Sequence, residues 1–144
     1  MDFKRKVKQI LLLVLGLAIA HFGVTLFIQA DLGADPFNVL IQGIYRSVFQ
    51  AAGIHWSHGA THMLVCFLII IVLLFVDKTY IKIGTLICMF LGGPIIDMFT
   101  VLLGDYINNS LSFAVRVPAL VAGCVILAMG MTIVIKITFR NLNK

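Results

Sequence analysis

Residues 10–28 read ILLLVLGLAIAHFGVTLFI and contain no Asp, Glu, Lys or Arg. They follow a basic start made of Lys4, Arg5, Lys6 and Lys8. At a rise of about 1.5 Å per residue, about 20 apolar residues in a helix cross the ~30 Å hydrocarbon layer of a bilayer. Because a helix satisfies its own backbone hydrogen bonds in lipid, this stretch predicts a transmembrane helix at about residues 9–29.

Three further apolar runs predict spans at about residues 60–76, 83–103 and 113–135. The chain is 61% hydrophobic and 12% charged, whereas soluble domains are about 45–50% apolar and about 25% charged. We therefore expect residues 1–144 to form one all-α transmembrane domain, a polytopic helical bundle in the lipid bilayer. The first run exceeds the ~7–15 apolar residues of a signal peptide, so we expect it to be retained.

The segment 36–52 is apolar but carries Asn38, Gln42, Arg46 and Gln50. If it is a short re-entrant helix, the chain has four full spans, and nine of the eleven Lys and Arg residues lie on the side of the two termini. If it is a fifth membrane helix, the same residues divide six to five. The positive-inside rule favours four spans with a cytoplasmic N-terminus.

The first and last spans share a pattern. A shift of 107 residues aligns four pairs of identical residues: Leu13 with Leu120, Gly16 with Gly123, Gly23 with Gly130, and Thr25 with Thr132. In the four-span topology these helices are antiparallel, as in the inverted repeats of secondary transporters. The pattern predicts a partial internal repeat, and we expect its glycines, Gly16, Gly23, Gly123 and Gly130, to be helix-packing residues.

Several motifs in this order resemble the YczE/YyaS/YitT family of bacterial membrane proteins. They are G-x6-G at Gly16 and Gly23, ADLGADPFNVL at 30–40, Tyr45, Gly59, the IGT triplet at 83–85, and GGPIIDMF at 92–99. The resemblance implies a two-half plan of which this chain has the first half and the opening helix of the second. The second LG-x-x-P-x-[DN] segment is missing, which implies either a truncated chain or a degenerate member of the family. The resemblance also implies a location in the bacterial plasma membrane, but it supplies no reaction.

The third span contains an acid, Asp97, about fourteen residues from its start. An ionisable side chain at membrane depth costs about 2.5–3.5 kcal/mol on insertion scales, so it needs water, a partner or a function. Gly92, Gly93 and Pro94 precede it, and proline frees a backbone carbonyl. We expect a helix break here, as transporters use beside their ion and substrate sites. A position near the outer interface, where Asp97 reaches water, is the alternative.

A second polar cluster follows the first span. Asp35 precedes Pro36, and this pair predicts a capped helix start that needs no ligand. If this segment meets the third span from the same side, one substrate pocket contains the following polar residues: Asp31, Asp35, Asn38, Gln42 and Asp97.

The sequence favours no other site chemistry. His55, His58 and His62 have helical spacing, but no nearby carboxylate or cysteine completes a metal site, so an interfacial cluster is favoured. Motifs of hydrolases, metalloproteases and phosphate-binding loops are absent from the sequence, so we expect no enzyme, no metal and no cofactor. The Lys and Arg residues lie at the ends of the spans, so the net charge of +5 indicates contact with lipid headgroups and not with nucleic acid.

Two functions remain at this point. The first is a transporter-like unit for a small solute or ion, which forms its pocket alone, by self-association or with a second membrane protein. The second is a non-transporting regulatory or interaction protein of the membrane, whose small-residue helix faces bind a partner.

Overall fold

The computed structural model describes residues 3–33, 35–81, 83–104 and 112–140. Within these residues five α-helices follow one another: α1 (Phe3–Ala30), α2 (Pro36–Ile44), α3 (His58–Val76), α4 (Ile83–Leu103) and α5 (Phe113–Arg140). A π-helical segment, Tyr45–Gln50, continues α2, and a 3-10 turn, Lys78–Tyr80, joins α3 to α4. Of the Lys and Arg residues counted from the sequence, Lys82 and Lys144 lie outside the described residues.

Four helices, α1, α3, α4 and α5, are long and apolar enough to cross a membrane. This finding confirms an all-α bundle with four predicted spans. The nine residues of α2 and the six of its π-helical extension rise about 22 Å at most. That length is short of the ~30 Å hydrocarbon layer.

Contacts between helices give the relative direction of each span. Leu13 of α1 lies near Gly84 of α4, and further along both helices His21 lies near Gly92. These two helices therefore run parallel.

The contacts of α3 with α4 run the opposite way. Gly59, at the start of α3, contacts Asp97 near the end of α4, whereas His62 contacts the earlier residue Gly92. The pair is antiparallel, so α3 crosses in the direction opposite to α1.

α5 is antiparallel to α1. Gly16 contacts Ile133, and at the other end Arg116 donates a hydrogen bond to the carbonyl oxygen of Ala30, at 2.7 Å. Since α3 begins on the side where α1 ends, residues 31–57 make no net crossing, and α2 enters and returns or lies at the interface. In a five-span chain α1 and α5 would be parallel, so that alternative is wrong.

The α1–α5 contact follows the sequence repeat. Under the shift of 107 residues, Gly23 becomes Gly130 and Ala20 becomes Leu127. A Cβ atom built on Gly23 would lie 2.7 Å from the backbone nitrogen of Leu127, and one built on Gly130 would lie 2.7 Å from the Cα of Ala20. If the two helices are exchanged, the contact of Gly23 with Leu127 is thus replaced by the equivalent contact of Gly130 with Ala20.

A second pair of contacts is related in the same way. Under the shift of 107 residues, Gly16 corresponds to Gly123 and Leu26 corresponds to Ile133. A Cβ atom on Gly16 would lie 2.9 Å from Ile133 Cγ2, and one on Gly123 would lie 3.2 Å from Leu26 Cβ. The two helices therefore pack about a local twofold axis, and all four glycines of the repeat lie where the helices meet.

Candidate functional site

A cavity of about 500 Å³ lies among α1, α3, α4, α5 and the start of α2. Most of its wall is apolar and includes Leu17, Ile70, Met89 and Met131. A few polar side chains interrupt this wall: His21, Asp35, Asn38, His62 and Thr85. Small-molecule sites have this character, with a volume of about 300–1,000 Å³, apolar walls and a few polar groups.

Asp35 and Asn38 form a fixed pair at the start of α2. Asp35 is the predicted N-cap, and its Oδ1 accepts hydrogen bonds from the backbone N–H of Phe37 at 3.0 Å and of Asn38 at 3.1 Å. Its Oδ2 accepts a third bond from Asn38 Nδ2 at 2.6 Å. Asn38 is only 5% exposed, and its Oδ1 has no hydrogen-bond partner among the described residues. The pair therefore presents a buried acceptor without a donor.

Two histidines lie at the same cavity. His21 Nδ1 is 2.8 Å from the carbonyl oxygen of Leu17, so Nδ1 carries the proton and donates it, because a carbonyl only accepts. The ring of His62 lies 5.5 Å from that of His21 and 5.6 Å from that of Phe37, in edge-to-face arrangements. Gly92 makes room for this group, since a Cβ there would lie 2.9 Å from His21 Nε2.

The other residues of the predicted substrate pocket lie outside this cavity. Asp31, at the end of α1, is exposed and forms an ion pair with Arg46, at 3.3 Å. Gln42 is half-buried on α2 and is not part of the cavity wall. Of the five predicted pocket residues, the structure brings only Asp35 and Asn38 to the cavity.

Asp97 links α4 to the start of α3. Its Oδ2 accepts a hydrogen bond from the Ser57 hydroxyl at 2.6 Å, and its Oδ1 accepts one from the Gly59 N–H at 2.8 Å. Ser57 Oγ in turn accepts from the N–H of Ala60 at 2.9 Å. The carboxylate and the Ser57 hydroxyl thus satisfy free amides of α3, where the helix dipole favours negative charge. These partners explain how an acid is accommodated at this position.

The predicted helix break in α4 is not present. The helix continues from Ile83 to Leu103 with Pro94 inside it. Gly92 and Gly93 serve close packing instead, because a Cβ on Gly93 would lie 2.9 Å from Met63 Sδ, and its carbonyl oxygen contacts Gly59. Close approach of α3 to α4, not an opening of the helix, explains these glycines.

Sequence reasoning missed the place of His62, which was assigned to an interfacial cluster. The structure separates the three histidines: His55 is exposed in the loop, whereas His58 and His62 are buried on α3. The signal in the sequence was the position of His62 inside the predicted span 60–76, two residues from its start. Among the described residues, no group of three or more His, Cys, Asp or Glu side chains is placed to hold a metal ion.

Comparisons with known proteins supply a family. No curated protein and no solved structure is found to match this chain. One family model, described as a family of unknown function (DUF6198), matches residues 7–142, a range that includes nearly all of α1 and all of α2 to α5. The chain therefore belongs to the DUF6198 family of unknown function.

Proposed function

We propose that this protein is a transporter-like unit that takes a small solute into the cavity among α1, α3, α4, α5 and the start of α2. One observation carries the proposal: a buried amide oxygen, Asn38 Oδ1, lies without a hydrogen-bond partner among the described residues, in a residue of the cavity wall. A buried acceptor left unsatisfied costs about 1–3 kcal/mol. A solute with a donor group would remove that cost.

The architecture supports the same function. Secondary transporters combine inverted repeats with short or interrupted helices beside the substrate site. Here the α1–α5 pair packs as an inverted repeat, and the short helix α2 contributes Asp35 and Asn38 to the cavity. The distribution of Lys and Arg supports a cytoplasmic N-terminus. The motif resemblance to YczE/YyaS/YitT proteins suggests a common plan with that family and a location in the bacterial plasma membrane.

The test is a thermal-stability screen of the purified protein against small solutes of different charge, followed by flux in proteoliposomes. A solute that binds the folded state raises the melting temperature. We expect Asn38→Leu to abolish the shift. The matched control is Gln42→Leu, one turn further along α2 and outside the cavity wall, which should keep it. If no solute shifts the wild type and none is transported, the proposal is wrong.

A second candidate function is binding of another membrane protein or a second copy through α5. Only 11% of the most apolar window of α5 is buried, the smallest share of the four long helices. Cys124 lies exposed on this helix. Oxidative crosslinking in native membranes, with Cys124→Ser as control, should trap a defined dimer or partner if α5 is an interface. A chain that stays monomeric under oxidation argues against self-association through this face.

A further inference from the structure

We infer that the cavity recognises a small organic ammonium ion, that is, an apolar body carrying a protonated primary amine. This inference rests on the proposed function, because it names the class of solute for the same cavity.

The first argument is the orientation of the Asn38 amide. Its nitrogen lies 2.6 Å from Asp35 Oδ2, and only the NH₂ end of an amide can donate to a carboxylate. The position of the carbonyl end is therefore fixed. Asn38 Oδ1 is a buried acceptor without a donor among the described residues, in a residue of the cavity wall, so a ligand group that reaches it must be a hydrogen-bond donor.

His21 offers a second acceptor. Because Nδ1 uses its proton on the carbonyl oxygen of Leu17, Nε2 of the neutral ring carries a lone pair. His21 belongs to the same cavity wall as Asn38. One primary ammonium group has three N–H donors, enough to serve more than one acceptor.

The charges at the cavity select a cation over an anion. Asp35 lines the cavity, and its full negative charge exceeds the roughly half positive charge of the α2 N-terminus that it caps. Its Oδ2 accepts one bond and has capacity for another. None of the described residues that form the cavity wall is Lys or Arg. An anion would find no opposite charge there.

The remaining wall suits the apolar part of such a ligand. Phe37 lies in the wall beside His62, and the face of an aromatic ring attracts a nearby cation. Leucine, isoleucine and methionine side chains form most of the remainder. A small hydrophilic ion would lose its hydration without replacement, so the amine needs an apolar body.

The test uses four probes that share one ring: benzylamine, benzyl alcohol, benzoate and benzyltrimethylammonium. Calorimetry on the purified full chain should show benzylamine binding at least about tenfold more tightly than the other three, as expected for one charged hydrogen bond. The alcohol lacks the charge, benzoate reverses it, and the trimethylated cation lacks N–H donors. Equal or tighter binding of any of these three would overturn the inference.

Variants at Asp35 distinguish the effect of its charge on ligand binding from its effect on folding. Asn and Ser are good N-caps without charge, so Asp35→Asn and Asp35→Ser should keep α2 and the melting temperature of the free protein. At least one of them should weaken benzylamine binding about tenfold more than it weakens benzyl alcohol binding. If both variants fold and keep the benzylamine affinity, Asp35 does not select a cation and the inference is wrong.

The two proposals fail differently. If another solute binds in an Asn38-dependent manner and benzylamine does not, the cavity is a solute site of different selectivity, and only the ammonium inference falls. If no solute of any charge binds or is transported, the proposed function falls with it.

Discussion

α1 and α5 carry the same repeat but have different surroundings. Half of the most apolar window of α1 is buried, against 11% of that of α5. Along one face α1 packs on α5, and elsewhere it meets α4 and the cavity, whereas the large apolar residues of α5 away from α1, such as Val121 and Val125, are exposed.

The polar side chains of the two helices differ in burial in the same way. α1 buries the polar residues His21, Thr25 and Gln29. Their partners under the repeat are Ala128, Thr132 and Lys136, all exposed. The repeat therefore preserves the contact between the two helices, while only α1 of this pair contributes a polar side chain, His21, to the cavity wall. The comparison shows that a shared packing pattern does not imply a shared role.

The largest expected effect tests the contact itself. Gly23→Leu and Gly130→Leu should each destabilise the protein by about 2–3 kcal/mol, because each Cβ would collide with backbone of the facing helix. Unfolding in mixed detergent micelles measures the loss.

The control for these variants is Gly43→Leu on α2, where a Cβ would meet nothing within 4 Å. It should be neutral or slightly stabilising, because leucine favours helix more than glycine does. If Gly130→Leu is as harmless as the control, α5 does not pack on α1 as described.

A smaller effect should distinguish the two environments. Leu13 is 5% exposed and lies near Gly84 of α4, whereas its repeat partner Leu120 is half-buried. Leu13→Ala should cost about 1–2 kcal/mol, at or below the lower limit for core truncations, because lipid also solvates leucine. The same substitution at Leu120 should cost less than half as much. Equal losses in the same unfolding measurement would contradict the difference in burial.

The smallest effect is expected at the end of the α1–α5 contact where Arg116 lies, because the corresponding residue of the repeat is not an arginine. Arg116 Nε and Nη2 donate to the carbonyl oxygens of Ala30 and Asp31, at 2.7 and 3.0 Å, and its repeat partner is Gln9. Arg116→Gln should lower stability by about 1 kcal/mol, because the last carbonyls of α1 lose charged donors. Arg46→Gln, which removes only an exposed ion pair with Asp31, should cost at most about 0.5 kcal/mol. A larger loss at Arg46 than at Arg116 would reverse this assignment.

The spans were predictable from the sequence because hydrophobic length reports directly on bilayer thickness. The predicted 83–103 agrees with α4, whereas α1 begins at Phe3 and α5 ends at Arg140. These helices continue into their charged ends, since polar residues outside the hydrocarbon layer are also good helix formers. The N-cap at Asp35 was predictable for a related reason, because capping depends on neighbours in the chain.

The site was less predictable because it depends on contacts between distant segments. The sequence shows that Asp97 requires a partner, but Ser57 is 40 residues away in the chain. Likewise, nothing local shows that Asn38 and His62 line the same cavity. The predicted break at Gly92, Gly93 and Pro94 failed because glycine is compatible both with an opened helix and with a tightly packed one, and only the neighbouring helix decides.

The local twofold axis between α1 and α5 gives their contact an isologous form, because corresponding positions of the two helices face each other. A surface that fits its own inverted image is what a helix needs in order to pair with a copy inserted the opposite way across the bilayer. The α1–α5 pair therefore has the geometry that a dimer of two oppositely inserted units would have, here within one polypeptide.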